Sequence, residues 1–248
     1  VAAEHMAVEA VQAARGGAGG HGHAQAVALA GFGIAQVSVT GQRYTSDADV
    51  FDALDLRNVR TFADLDAPAA LKRIERLPWV DTAQITRVYP DRMNIQIRER
   101  MPYAQWRRDD RVYLIDASGR VLGPIAANQS WNLPLLTGEG ANGEAALLLN
   151  AVWRHGEIAK LFSHAERITS RRWAVILKNG SRIELGAERE DEGLAQVAAN
   201  FELRRALNGA PVVIDVRTPG RPALRPLAPG PAAALQAPRT NQMTAAVE

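Results

Sequence analysis

Val37 and Val39 alternate with Gln36 and Ser38, the period-two pattern of a half-buried strand expected over 34–40. The pattern then changes to helical spacing. Ser46 and Asp49 form a capping box ahead of Val50, Phe51 and Leu54, the apolar face of a short helix. Asp66 caps a second helix that carries Pro68 in its first turn. Leu71, Ile74 and Leu77 recur there every three residues, Lys72, Arg73, Glu75 and Arg76 face water, and Pro78 ends it. Alternation returns over 80–89 and 93–98, on either side of Pro90-Asp91. Met93, Ile95 and Ile97 lie on one face, Asn94, Gln96 and Arg98 on the other. This β-α-α-β-β order predicts two helices packed on one face of a three-stranded sheet.

Residues 103–227 carry a second pattern, richer in strands. Short strands at 111–115 and 120–122 flank the turn Asp116-Ala117-Ser118-Gly119, and Leu133-Pro134-Leu135-Leu136 follows. Leu148, Val152 and Ile158 mark a helical stretch over 145–161. Strands at 172–178 and 181–185 flank Asn179-Gly180, a strong hairpin signal, with Trp173, Val175 and Leu177 facing Ile183 and Leu185. A single helix is expected next. Glu188, Glu190, Asp191 and Glu192 crowd its start, Arg204 and Arg205 its end, Asn208-Gly209 closes it, and Leu194, Val197 and Phe201 form its stripe. A strand over 212–217, the turn Thr218-Pro219-Gly220 and a proline-bearing strand over 221–227 complete the pattern. The fold class is α+β: a β-α-α-β-β module followed by a mixed β-rich domain with helices on its sheet. The glycine- and histidine-bearing stretch 1–30 reads as a flexible segment, and 228–248, with three prolines and no periodicity, as a disordered tail.

Composition removes several function classes. The 29 basic and 27 acidic residues leave a net charge of +2, too little field to favour nucleic acid. The absence of cysteine excludes thiolate zinc sites and thiol catalysis. No run approaches the roughly 18–20 apolar residues of a membrane helix. His5, His21 and His23 lie in the flexible segment and are not read as a metal site, which needs three preorganised ligands. His155 and His164 read as surface or helix-end residues. The glycines at 16–22 lack the Lys-Ser/Thr of a phosphate loop, and Asp116–Gly119 lacks the context of a nucleophile elbow. An enzyme acting on cell wall would need a carboxylate pair or a nucleophile in a cleft, whereas the acids at 188–192 read as helix N-terminal charge. No catalytic residue and no cofactor is expected. Gln42, Arg43 and Tyr44 read as a loop after Gly41, and Trp79 and Trp106 as core or junction residues.

The words that bound the first module are specific. It opens Gly31-Phe32-Gly33-Ile34-Ala35-Gln36-Val37-Ser38-Val39-Thr40-Gly41 and closes on Leu77-Pro78-Trp79-Val80 and Arg98-Glu99-Arg100-Met101-Pro102. The stretch 31–102 resembles a POTRA domain, and more narrowly the POTRA module of the FtsQ (DivIB) family of bacterial cell-division proteins. Further along, Arg111-Val112-Tyr113-Leu114-Ile115-Asp116 before Gly119-Arg120-Val121 is similar to a hairpin of that family. Leu133-Pro134-Leu135-Leu136-Thr137-Gly138-Glu139-Gly140-Ala141 and Val213-Ile214-Asp215-Val216-Arg217 are similar to two later segments, and all stand in the family's order over 31–227. The resemblance implies a POTRA domain over 31–102 and an FtsQ-type β domain over 103–227. It further implies a non-enzymatic scaffold of the divisome at the periplasmic face of the inner membrane, at the septum. A membrane anchor is expected in the full-length protein. The implied partners are FtsB- and FtsL-type division proteins, with others reached through the POTRA module.

In that family a partner adds a strand to the sheet edge near the C-terminus. Here the edge maps onto Val212, Ile214, Val216, Arg217, Arg221, Ala223, Leu224 and Arg225, and Arg171 and Arg172 take the place of basic residues that meet acidic partner residues. Strand addition draws affinity from backbone hydrogen bonds and specificity from alternate side chains. Pro222 and Pro226 lack N–H groups on the side of Leu224, which leaves Leu224 as the outward donor; the same prolines would discourage edge aggregation. The competing reading is a POTRA-containing outer-membrane assembly or secretion factor that chaperones extended polypeptides.

Overall fold

A computed structural model describes residues 27–28, 34, 36–59, 62, 64–89, 91–126 and 129–227. Two sheets organise them. The first contains β1 (Val27–Ala28), β2 (Gln36–Thr40), β3 (Val80–Val88) and β4 (Arg92–Glu99), in the order β1-β2-β4-β3. β2 runs parallel to β4, and β3 runs antiparallel to it. Helices α1 (Asp47–Leu54) and α2 (Ala67–Ile74) cover one face. Their starts are set locally. The Ser46 hydroxyl accepts from the Asp49 N–H and donates to the Asp49 carboxylate at 2.7 Å, and the Asp66 carboxylate accepts from the Ala69 N–H. Asp49 thus holds the Ser46 side chain rather than its amide. Val50, Leu54, Ala70 and Ile74 pack onto Val37, Val39, Met93, Ile95 and Ile97, all buried.

The alternating stripes fall where the sequence predicts, with one added strand. Val27–Ala28 pairs with Gln36 and Val37, so the sheet has four strands rather than three. The remaining expectations for 1–26 and 228–248 lie outside the described residues.

The second sheet has nine strands: β5 (Ala104–Arg108), β6 (Arg111–Ile115), β7 (Val121–Pro124), β8 (Leu135–Thr137), β9 (Phe162–Ile168), β10 (Arg172–Leu177), β11 (Arg182–Glu184), β12 (Val212–Asp215) and β13 (Ala223–Pro226). Their order is β13-β12-β11-β10-β9-β8-β5-β6-β7. Helices α3 (Ala145–Arg154), α4 (Gly156–Leu161), α5 (Glu190–Ala199) and α6 (Phe201–Ala206) contribute Leu148, Val152, Ile158, Leu194, Val197 and Leu203 to one core with Trp106, Trp173, Val175, Ile183 and Ile214. The two long helices expected from the sequence are each broken. His155 separates α3 from α4, and Asn200 separates α5 from α6. Asn200 takes extended dihedrals and its side chain accepts from the Leu203 N–H, which starts a new helix. The break turns Phe201 out of the expected stripe to 65 % exposure.

The two sheets are tied at one junction. Arg120 Nη2 reaches the carbonyls of Glu75, Arg76 and Leu77 just beyond the end of α2, at 3.2, 2.7 and 3.0 Å. Arg100 donates to Asp116 and to the Val80 carbonyl, both at 3.0 Å. Tyr44 stacks on Trp79 with centroids 4.3 Å apart, over a cluster of Leu114, Leu122, Trp131 and Leu133. The loop bearing Tyr44 is anchored by the Glu99 carboxylate, which accepts the N–H groups of Tyr44 and Thr45. Trp79 is thus a junction residue and Trp106 a core residue.

Candidate functional site

Among the described residues, β13 is one free end of the nine-stranded sheet. Its register sets Val212 opposite Pro226, Val213 opposite Arg225, Ile214 opposite Leu224 and Asp215 opposite Ala223. Leu227 donates its N–H to the Pro211 carbonyl at 3.1 Å. Hydrogen-bonded and non-hydrogen-bonded pairs alternate along an antiparallel ladder. Leu227, Arg225 and Ala223 accordingly turn their backbone groups inward, and Pro226, Leu224 and Pro222 turn theirs outward. The outward edge offers three carbonyls and one N–H, that of Leu224. Every residue of β13 is exposed.

The two faces of this edge differ. Ile214 and Val216 are buried under the helices, and Val212 packs against the same core. Leu224 shares the face of Ile214, yet it is 49 % exposed, so the helical layer stops short of it. Between α5 and the turn at Pro219-Gly220 lies an open groove of about 510 Å³, walled by Ala195, Ala199 and Val216. The opposite face is ionic. Glu184 lies among Arg182, Arg217 and Arg225 at 3.6, 3.4 and 3.6 Å, and Arg182 also meets Glu166 at 2.6 Å. The Arg217 guanidinium grips Asp215 and holds its carboxyl below the usual carboxylate range, outweighing the opposing effect of burial.

Arg171 and Arg172 sit three strands from this edge, about 14 Å across the sheet. The register aligns Ala174, Glu184, Asp215 and Ala223 in one row. Two residues further along, the same alignment brings Arg172 to the end of the sheet that holds Arg217 and Arg221. Arg171 is exposed, and the Arg172 Nε is buried without a hydrogen-bond partner among the described residues. The candidate residues therefore divide. Arg171, Arg217, Arg221, Ala223, Leu224 and Arg225 reach the surface, whereas Val212, Ile214 and Val216 hold β13 from behind. The groove beside α5 and the ionic ladder around Glu184 were not read from the sequence. Alternation in β11 and β12 could have placed Glu184 and Asp215 on one face, but no local signal marks the groove.

Among the described residues no group of three or more His, Cys, Asp or Glu is placed to hold a metal ion. His5, His21 and His23 lie outside the described residues. Two acids of α5, Asp191 and Glu192, are engaged with nearby side chains. Asp191 meets Arg154 at 2.9 Å and His155 at 3.5 Å, and Glu192 pairs with Arg189.

Comparison with known proteins follows the same two-part division. A family model described as POTRA domain, FtsQ-type, matches residues 32–100, and one described as cell division protein FtsQ/DivIB, C-terminal, matches 104–217. Cell division protein FtsQ of Agrobacterium fabrum strain C58 is 32 % identical over 193 residues, covering 77 % of this chain and 61 % of that protein. FtsQ of Caulobacter vibrioides strain NA1000 is 32 % identical over 199 residues, covering 80 % and 66 %. FtsQ of Rhizobium radiobacter is 31 % identical over 178 residues, covering 71 % and 84 %. The chain spans less than two thirds of the length of the first two relatives. A solved structure, the major extracytoplasmic domain of the trans isomer of the cell division protein DivIB from Geobacillus stearothermophilus, aligns with 43 % of this chain and 92 % of its own at 14 % identity and a TM-score of 0.26. On the family models and these relatives, the chain belongs to the FtsQ/DivIB family of bacterial cell-division proteins.

Proposed function

We propose that this protein is a non-enzymatic scaffold of the division machinery, working on the periplasmic side of the inner membrane at the septum. It takes an extended segment of an FtsB- or FtsL-type partner as an added strand on β13. The observation that carries this reading is the free edge itself, where the Leu224 N–H stands between the outward carbonyls of Pro222 and Pro226 on a fully exposed strand. An added strand would donate three N–H groups and receive one. Its side chains would alternate between the apolar side, beside Leu224, and the ionic side, beside Arg225. Arg171, Arg172, Arg217 and Arg221 would meet acidic groups flanking the added strand, since the planar guanidinium suits carboxylates.

Calorimetric titration with the periplasmic segment of an FtsB–FtsL-type pair tests the reading, using the full chain and Leu224→Pro in parallel. The expected result is binding by the parent and loss of binding in the variant, with circular dichroism unchanged. Equal affinity in both would place the partner elsewhere.

A further inference from the structure

The first sheet ends on β3, and that edge is built differently from β13. The Thr40 hydroxyl donates to the Ile95 carbonyl, and a Cβ on Gly41 would collide with the Ile97 carbonyl oxygen. Ile95 and Ile97 therefore turn their backbone groups toward β2. Asn94, Gln96 and Arg98, the alternate residues of β4, turn theirs toward β3, where they lie opposite Thr86, Gln84 and Thr82. The backbone groups of Ala83, Ile85 and Arg87 then point away from the sheet, and among the described residues no strand pairs with them. This edge offers three N–H groups and three carbonyls, against the single N–H and three carbonyls of β13. It contains no proline and no lysine, two common guards of a free edge.

The strand is also self-complementary about its centre. Turned antiparallel about a two-fold axis at Gln84, Thr82 meets Thr86 of the partner subunit, Ala83 meets Ile85 of the partner subunit, and the two Gln84 side chains face each other. Asp81 is held by Arg98 and Arg100 of its own subunit and Arg87 reaches the Leu65 carbonyl, so no charged side chain of β3 meets its like across the axis. Ala83 and Ile85 are half-buried at the margin of the first core and share the face of Ile97 and Ile95. Pairing would extend that core, while Thr82, Gln84 and Thr86, all exposed, would extend the polar outer face. We propose that the β3 edge pairs with the same edge of a second copy of this chain, joining two four-stranded sheets into one across a two-fold axis. The contact stands apart from the β13 edge and leaves it free. Its small size makes the dimer weak, with dissociation on the order of 0.1–1 mM.

The chain has no cysteine, so a single introduced thiol reports the register directly. In a two-fold pair, residue 84 and its copy form a non-hydrogen-bonded pair with Cα atoms about 4.5 Å apart, within disulfide reach. Two copies of residue 86 would be separated by about 13 Å. Mild oxidation of the full chain at about 1 mM should convert Gln84→Cys largely to a covalent dimer and leave Thr86→Cys monomeric. An equimolar mixture of Thr86→Cys and Thr82→Cys should cross-link. All three positions are exposed, so the substitutions spare the core. Sedimentation equilibrium supplies an independent reading, in which the parent associates and Gln84→Lys, which sets two ammonium groups face to face, does not. A monomeric Gln84→Cys, equal cross-linking by Thr86→Cys alone, or association undisturbed by Gln84→Lys would each overturn the proposal.

Discussion

Ile214 and Leu224 lie directly opposite each other on β12 and β13, yet Ile214 is fully buried and Leu224 is 49 % exposed. One strand of lateral displacement carries the chain from core to open surface. Ile214→Ala should therefore destabilise the protein by about 2–5 kcal/mol, through lost burial and an unfilled cavity. Leu224→Ala should change stability by less than about 1 kcal/mol while weakening partner binding. Urea denaturation of the two variants beside the parent checks the contrast, and equal losses would mean that β13 is part of the core.

Arg120 closes the end of α2 from the other domain. Its replacement by Ala removes its hydrogen bonds to the carbonyls of Glu75, Arg76 and Leu77, and the expected cost is about 1–3 kcal/mol. The junction also loses a tie, so small-angle scattering should report a broader distribution of interdomain distances in Arg120→Ala. An unchanged profile would assign the rigidity to the Tyr44–Trp79–Trp131 aromatic cluster.

Asp116 gives this junction a pH dependence. Burial pushes its carboxyl up, but the Ser118 hydroxyl, the Arg120 N–H, the Arg100 guanidinium and the Ser118 N–H together hold it below the usual carboxylate range. The unfolded chain then binds the proton more readily than the folded one, and stability rises with pH across this window. Its contribution is complete above the ordinary Asp value of about 3.9 and is lost as pH falls through the lower folded value. Acid denaturation should show this slope below about pH 4, and Asp116→Asn should flatten it. A parent and an Asp116→Asn variant with identical acid profiles would contradict the assignment.

Charge reversal at Arg171 separates binding from folding. Arg171 is exposed and carries no hydrogen bond in the core, so Arg171→Glu should leave thermal stability unchanged. Partner affinity should fall by about 0–1 kcal/mol, more steeply at low salt than at high. A salt-independent affinity would remove this arginine from the interface.

Much of the fold was legible because the period of the apolar residues is a direct image of burial. Alternation alone puts Met93, Ile95 and Ile97 on one face of the sheet, and that face is the buried one. Ser46 and Asp66 marked helix starts through the hydrogen bonds their side chains make. Other elements left weaker local traces. β9 reads Phe-Ser-His-Ala-Glu-Arg-Ile and β5 reads Ala-Gln-Trp-Arg-Arg, and neither alternates throughout; β9 is set in the sheet by β8 and β10, and β5 by β8 and β6, rather than by their own pattern. The break at Asn200 was hidden because asparagine caps a helix only when the chain before it has already left helical dihedrals. At the candidate site, the proline spacing revealed the single outward donor, since alternation along a strand is local geometry. The exposure of Leu224 was not legible, because it depends on where a separate helical layer ends. The Arg120 contacts likewise join residues more than forty positions apart.

The most direct test of the central claim is the exchange rate of one amide. In the free protein the Leu224 N–H points outward with no partner among the described residues, whereas the Leu227 N–H is bonded to Pro211. Residue-resolved hydrogen exchange, measured with and without the periplasmic segment of an FtsB–FtsL-type pair, should find Leu224 fast in the free state and strongly protected in the complex. A Leu224 amide that still exchanges fast while the partner is bound would contradict strand addition at β13.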